Sequence, residues 1–106
     1  MIYTITTIEH LKPKYRKDGS SYEYRSMRCV GYLEMFEDAE DAVLKNAVDI
    51  NEAGYYPYAV IEAVTEGIYS HDLHPVWYEW DSEKEGYKRL DKTPEEFKRI
   101  IGFGMG

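Results

Sequence analysis

Positively charged and aromatic side chains alternate along residues 12–28. Lysine and arginine pair with phosphate, and tyrosine rings stack on bases, so the alternation indicates a site for a small anionic, nucleotide-like ligand. A second interpretation is a solvated hairpin edge whose cations prevent aggregation. The side chains concerned are Lys12, Lys14, Tyr15, Arg16, Lys17, Tyr22, Tyr24, Arg25 and Arg28.

A second aromatic group is Trp77-Tyr78-Glu79-Trp80. On a strand, Tyr78 and Trp80 share one face while Trp77 shares the other with Glu79. One tryptophan should therefore lie outside the main core, at a subunit interface or on a ligand platform. With both tryptophans included, the predicted ligand-binding set is Tyr15, Arg16, Lys17, Tyr22, Tyr24, Arg25, Arg28, Trp77 and Trp80.

Residues 70–75 hold the side chains most typical of metal or triad chemistry. His71, Asp72 and His74 could offer metal ligands, but spacing on a loop sets no coordination geometry and the helical His-Glu-x-x-His pattern is absent. Ser70 lacks the nucleophile elbow that a triad serine needs. We therefore predict a solvated turn before Pro75 and no metal.

The other reactive residues do not predict an enzyme either. Cys29 lies within a predicted strand, where we expect a small buried thiol. Residues 102–106 follow a helix rather than precede one, so their glycines do not form a phosphate loop. An acidic cluster lies at a predicted helix start, where the helix dipole favours acids without any metal. Its members are Glu34, Glu37, Asp38, Glu40 and Asp41. We predict no catalytic residues and no cofactor.

Length and composition favour a small intracellular protein. The 106 residues allow one domain, residues 1–106, and the chain is 43% hydrophobic and 31% charged. There is no apolar run of the length a membrane span needs, and residues 1–4 do not resemble a signal peptide. A single cysteine excludes an internal disulfide. We expect a cytoplasmic protein.

Charge is unevenly distributed. The total is −7, with +3 over residues 1–30, −9 over residues 31–72 and −1 over residues 73–106. A net-acidic chain is a poor binder of duplex DNA. The basic first third could hold a small anion, whereas the acidic middle could dock on a basic protein. Eleven tyrosines, three phenylalanines and two tryptophans exceed what a short chain can bury, so some tyrosines must lie at the surface.

The first half of the chain predicts two strands and a helix. Residues 2–9 and 22–36 are the strands, joined by a long turn over 10–21, and Gly31 indicates a bulge or a close backbone approach. A helix is predicted over 39–53 from its apolar stripe, with Asp38 as N-cap and Gly54 as the stop.

The second half predicts three strands and a second helix. The strands are 57–66, 76–80 and 87–91. Thr93, Pro94 and Glu96 predict a capped helix start, after which Phe97 docks on the core. The order β-β-α-β-β-β-α is an α+β fold: an antiparallel or mixed sheet of four to five strands with two helices packed on one face.

Six segments from Gly31 onward form a distinctive pattern: 31–36, the acidic helix start, 58–62, 66–69, 77–80 and 102–104. In this pattern the chain resembles a group of small uncharacterised acidic proteins from gut Firmicutes and their phages. The resemblance covers about two-thirds of the chain and implies a compact, phage-associated accessory protein, such as an antagonist of host defence, located in the host cytoplasm if a phage encodes it. It transfers no catalytic residue.

Together these observations predict a binding protein rather than an enzyme. The first hypothesis is a non-catalytic trap that sequesters a small nucleotide on the basic, aromatic hairpin. The alternative is an acidic inhibitor or nucleic-acid mimic that docks on a basic host protein. Exposed tyrosine and tryptophan further predict a homodimer with a site across its seam.

Overall fold

The computed structural model describes residues 1–9, 12–24, 26–67 and 75–97. In these ranges the chain forms seven strands and one α-helix. The strands are β1 (Ile2–Ile8), β2 (Lys12–Tyr15), β3 (Ser21–Tyr24), β4 (Met27–Leu33), β5 (Tyr58–Val64), β6 (Val76–Asp81) and β7 (Gly86–Arg89). The helix is α1 (Phe36–Leu44), and Ala47–Asp49 and Glu95–Phe97 are short 3-10 segments. The predicted α+β class is confirmed at this level.

Five strands form one antiparallel sheet in the order β4-β1-β5-β6-β7. β1 and β5 lie inside the sheet because both are dense in β-branched residues, which pack well on a pleated surface between two neighbours. β4 and β7 are the outer strands. The prediction of four to five strands is confirmed, and of the two sheet types left open the antiparallel one is correct.

The pairing of β1 with β4 contains one irregularity. Ile5 lies opposite Gly31 and Thr6 lies opposite Cys29, so Val30 is an extra residue in β4. This is the two-against-one count of a β-bulge. The sequence-based expectation of a bulge at Gly31 is therefore confirmed.

Residues 12–24 form a separate two-stranded hairpin of β2 and β3, which we call the arm. The prediction of a long turn over 10–21 and one continuous strand over 22–36 was wrong here, because β2 occupies part of the turn and the long strand divides into β3 and β4. At the arm's base, Glu9 and Ser26 exchange backbone and side-chain hydrogen bonds at 3.1 and 2.8 Å. Glu9 is almost fully buried, so it holds the base in one position.

Helix α1 begins earlier and ends earlier than the predicted 39–53. Met35, rather than Asp38, is its N-cap, and it ends at Leu44 instead of at Gly54. The stop comes from Asn46, which adopts a left-handed conformation with φ of 51°. Asparagine tolerates this conformation better than most residues and often ends helices in this way.

The main core lies between α1 and one face of the sheet. Ala39 and Val43 project from the helix onto this face, as their four-residue spacing predicts. Their buried neighbours from the sheet are Ile5, Ala59, Ile61, Tyr78 and Tyr87. Trp80 packs against the same cluster, so the predicted shared face of Tyr78 and Trp80 is confirmed.

A second cluster covers the opposite face of the sheet. Trp77 is 1% exposed and stacks on Phe97 with ring centroids 4.7 Å apart. Ile8 and Val60 complete the cluster. Phe97 docks on a core as predicted, but on the face opposite α1, so the prediction that both helical segments share one face was wrong. Glu95–Phe97 is a 3-10 turn after Pro94, and the predicted remainder of the second helix lies outside the described residues.

Candidate functional site

The turn of the arm presents an aromatic ring beside two cations. Tyr15 is 78% exposed, and Arg16 and Lys17 are exposed as well. The Asp18 carboxylate shapes the turn, since it accepts hydrogen bonds from the backbone N–H and the hydroxyl of Ser20 at 2.9 and 2.6 Å. These bonds hold the pKa of Asp18 below its usual value, so this acid stays charged. The turn therefore has a defined conformation and carries both positively and negatively charged side chains.

The cross-strand register of the arm pairs cations with rings. Lys12 lies opposite Tyr24, and Lys14 lies opposite Tyr22. Directly opposed residues are the closest neighbours on an antiparallel pair. The sequence-predicted alternation of cations and aromatics is therefore retained at the level of backbone pairing. Arg25, also predicted for this site, lies outside the described residues.

Arg28 belongs to a different part of the molecule. Its guanidinium donates a short, charge-assisted hydrogen bond to Glu52, and it lies 5.0 Å from the centroid of the Tyr56 ring. Both partners come from the segment after α1. Arg28 was grouped with the arm because it follows β3 closely in sequence, but β4 belongs to the larger sheet and its residue 28 is directed to the loop beside α1.

The two tryptophans of the predicted set are packed into the protein. Trp77 lies in the second cluster with one ring face covered by Phe97. Trp80 is half-buried and contacts Tyr87 edge-on, with the two ring centroids 5.2 Å apart. The prediction that one tryptophan lies outside the main core is confirmed, but the second cluster covers that ring. The structure does not bring either tryptophan together with the arm turn through any contact it describes.

A cleft of about 590 Å³ opens between β4 and the segment after α1. Its floor is apolar, and Arg28, Asp49 and Glu52 supply its charged groups. A volume between about 300 and 1,000 Å³ is typical of pockets that hold small molecules or anchor side chains. The cleft was not predicted from the sequence because its residues come from β1, β4, α1 and the segment after α1, which are far apart in the chain. The apolar lining is Ile5, Val30, Leu33, Ala42, Ala47, Val48 and Ile50, with Tyr32 at the edge.

A buried asparagine organises the segment that forms one wall of the cleft. Asn51 is 1% exposed. Its side-chain amide nitrogen donates to the Tyr56 carbonyl at 2.8 Å, and its side-chain oxygen accepts from the Gly54 N–H. The side-chain oxygen of Asn46 in turn accepts from the Asn51 N–H at 2.9 Å. These bonds hold several residues with positive φ, among them Val48 at 53°. The signal in the sequence was the pair of asparagines followed by glycine, a composition typical of tight turns.

A polar cluster joins α1 to the sheet. The Glu40 carboxylate accepts a short hydrogen bond from the Tyr78 hydroxyl and another from Arg89 at 3.2 Å. Burial and the neighbouring carboxylate raise the pKa of Tyr78 above its usual value. Tyr78 is therefore neutral at physiological pH and acts as a donor that fixes the helix. Burial likewise raises the pKa of Tyr87 to about 12, and its hydroxyl donates to the Tyr56 carbonyl at 2.6 Å.

The remaining candidate groups are placed as follows. Cys29 is exposed, which corrects the expectation of a buried thiol, because β4 is an outer strand of the sheet. Among the described residues there is no group of three metal-ligating side chains, and His71, Asp72, His74 and Ser70 lie outside that part of the chain. No helix in the described ranges is long and apolar enough to cross a membrane.

The acidic residues around the start of α1 divide into two kinds. Glu40 is engaged with Tyr78 and Arg89, and Asp41 forms an exposed ion pair with Lys45 at 3.0 Å. The others are exposed on the surface: Glu34, Glu37 and Asp38.

Comparisons with protein-family models, with curated proteins and with solved structures found no match. Function is therefore argued from the residues of this chain.

Proposed function

We propose that this chain is a non-catalytic binding protein that sequesters a small anionic, nucleotide-like ligand on its arm. The observation that carries the proposal is the register of the arm, which sets Lys12 opposite Tyr24 and Lys14 opposite Tyr22. A cation beside a ring supplies the two contacts that a nucleotide offers, an ion pair for its phosphate and a stacking face for its base.

The exposed turn supports the same assignment. Tyr15 leaves most of its ring in water, and Arg16 and Lys17 follow it directly. An exposed tyrosine ring still has apolar surface that can be buried. A flat partner that stacks on the ring removes this surface from water, which favours binding. A base stacked on Tyr15 with its phosphate on either cation would cover that surface.

The size of the ligand follows from charge. The arm carries four cations against two acids, whereas the whole chain has a net charge of −7. A long polyanion such as duplex DNA would meet the acidic remainder of the protein and be repelled. A small anion contacts the arm alone, where the local charge is positive.

The ligand set is narrower than the sequence predicted. Arg28 is paired with Glu52 at the cleft, and Trp77 is buried against Phe97, so neither enters the proposed site on the arm. The biological setting follows from the resemblance to phage-associated proteins: a trap for a nucleotide signal would antagonise host defence without catalysis.

Isothermal titration with adenosine mono- and triphosphate, a linear dinucleotide and inorganic triphosphate tests the proposal. We expect the native chain to bind at least one of these probes and K14A/R16A/K17A to bind it about tenfold more weakly or worse, since each lost ion pair costs about 1 kcal/mol or more. The matched control K84A/K88A/K92A removes the same charge elsewhere and should bind as the native chain does.

Either of two results would overturn the trap. One is that the native chain binds none of the probes. The other is that the arm variant, shown by circular dichroism to be folded, binds as tightly as the control.

A second candidate function is an acidic module for a basic protein partner. It is favoured by the exposed carboxylates of Glu34, Glu37 and Asp38, which make no ion pair among the described residues. Affinity capture with the native chain and with E34Q/E37Q/D38N tests it. A partner retained only by the native chain and released by salt supports this function, because exposed charges are screened. A partner retained equally by both contradicts it.

A further inference from the structure

The cleft between β4 and the segment after α1 has no role in the proposed ligand site. Its volume is about 590 Å³, and its floor is built from Ile5, Val30, Leu33 and Ile50. The turn of the arm, residues 15–21, is exposed, and the base of the arm is held where Glu9 meets Ser26. Each chain therefore has an apolar cleft and an exposed hairpin turn.

Two large side chains at the edge of the cleft are mostly exposed to solvent. Tyr32 is 63% exposed and Val48 is fully exposed, and both line the cleft. Apolar side chains that gather at the rim of a concave surface mark an interaction site more often than scattered ones do. The cleft thus has the form of a receptor for an apolar or aromatic anchor.

The charges at the cleft select the kind of anchor. Asp49 and Glu52 line it against a single cation, Arg28. Asp38 lies one helical turn before Ala42, which lines the cleft, so a third carboxylate is on the same helix face. The rim is net acidic, and its complement is a basic segment that carries an aromatic ring.

We propose that the cleft receives the arm turn, residues 15–17, of a second copy of this chain. Tyr15 supplies the exposed ring for the apolar floor, and Arg16 and Lys17 supply the cations for the acidic rim. Because every chain has one arm and one cleft, two copies exchange arms reciprocally and close a twofold dimer with two identical contacts.

This arrangement also deepens the proposed function, on which its last consequence rests. Tyr15, Arg16 and Lys17 are also the groups that the proposed function assigns to the ligand. In the exchanged dimer they would occupy the cleft of the other copy, so a ligand would bind them only in the monomer. Ligand binding and dimer formation would therefore oppose each other.

Analytical ultracentrifugation over a concentration series, with charge-reversal variants, tests the dimer without any ligand. We expect the native chain to dimerise, and both R16E/K17E and D38K/E52K to dimerise about tenfold more weakly or worse, because like charges would then face each other. An equimolar mixture of the two variants should restore the dimer, since each altered arm then meets a cleft of opposite charge. The control E66K/E83K makes the same charge change as D38K/E52K, but on exposed residues elsewhere. It should dimerise as the native chain does.

The outcomes separate this inference from the proposed function. A monomeric native chain, variants that dimerise normally, or folded variants whose mixture fails to dimerise would each overturn the arm exchange. Failure of every nucleotide probe to bind, with the charge-swap dimer intact, would overturn the trap alone. A nucleotide probe that binds the native chain and lowers its dimer fraction would support this competition, and a bound probe that leaves the dimer fraction unchanged would contradict it.

Discussion

The five-stranded sheet and the arm are both antiparallel, but different forces hold them. The sheet is covered on both faces, by α1 on one side and by Trp77 with Phe97 on the other. The arm has a hydrogen-bonded ladder, a turn shaped by Asp18 and Ser20, and a clamp at its base. A two-stranded hairpin is at best marginally stable in water without a hydrophobic face.

In the proposed function, stability therefore resides in the sheet and recognition in the arm. The sheet buries Trp77, Tyr78 and Tyr87, whereas the arm turn exposes Tyr15 together with Arg16 and Lys17. Changes in the sheet should therefore alter unfolding and leave binding chemistry intact, and changes in the arm should do the reverse. The predictions below test this separation.

The largest effect is expected from F97A. Phe97 is fully buried and stacked on Trp77, so its removal leaves a cavity and should lower the free energy of unfolding by about 3–5 kcal/mol. Y15A removes a ring of similar size from the arm and should change stability by less than about 0.5 kcal/mol. Urea denaturation followed by circular dichroism measures both. Equal losses would contradict the separation.

High pH should weaken the sheet. The pKa of Tyr87 is raised from 10.0 to about 12 in the folded protein, so the unfolded chain loses this proton first as pH rises. The contribution of neutral Tyr87 to the free energy of unfolding is complete below pH 10. About 2–3 kcal/mol of the free energy of unfolding is lost as pH rises toward 12. In Y87F the loss over this interval should be smaller, although stability at neutral pH also falls with the bond to the Tyr56 carbonyl. An unchanged alkaline slope in Y87F would count against this assignment.

N51A should destabilise the wall of the cleft. The substitution removes the two bonds by which the Asn51 side-chain amide ties Gly54 and Tyr56 together and should cost about 1–3 kcal/mol, although the Tyr56 carbonyl keeps its bond from the Tyr87 hydroxyl. Hydrogen exchange should increase in residues 46–56 more than in β1 and β5. The control E83A removes an exposed side chain from the turn after β6 and should cost less than about 0.5 kcal/mol. Uniform exchange across the sheet would show that the wall is not a separate unit.

V48G should stabilise the protein by about 1 kcal/mol. Val48 has φ of 53°, which is strained for a β-branched side chain, and it is fully exposed, so no burial is lost with it. V48A is the matched control, since alanine keeps the Cβ that causes the strain. Thermal melting of both variants measures the difference. A V48G protein no more stable than V48A would contradict the strain.

The smallest effect on stability is expected from removal of the arm. Replacing residues 12–24 by a short glycine-containing turn should change the free energy of unfolding by less than about 1 kcal/mol, because hairpin loop length affects closure entropy only slowly. The same variant should lose binding of the nucleotide probes. Loss of cooperative unfolding in the sheet would mean that the arm is part of its folding unit.

Local pattern in the sequence accounts for the strands inside the sheet. β1, β5 and β6 were predicted within one or two residues at most ends because runs of β-branched and aromatic residues have few other low-energy conformations. The helix was predicted too long, since its apolar stripe continues past Asn46, where the left-handed conformation ends it. Cys29 was predicted to be buried but is exposed, because burial depends on which strand is outermost and on what covers each face.

The candidate site divides in the same way. The alternation of cations and rings in residues 12–24 was visible in the sequence, and the register of β2 with β3 preserves it. The cleft was not visible, because Arg28 and Glu52 are far apart in the chain and meet only through the folded loop. Spacing along a chain carries no information about such a contact.

The sequence by itself determined the α+β class, the strand-forming segments, the alternation of faces along β6 and the basic, aromatic character of the arm. Each of these follows from short-range propensity, side-chain periodicity or composition. Only the tertiary structure decided that the arm is a separate hairpin and that Phe97 covers the face opposite α1. It also decided that Arg28 forms an ion pair with Glu52 at the cleft. Those outcomes depend on long-range packing, where the gain from burying apolar surface selects among arrangements that local preferences leave equally open.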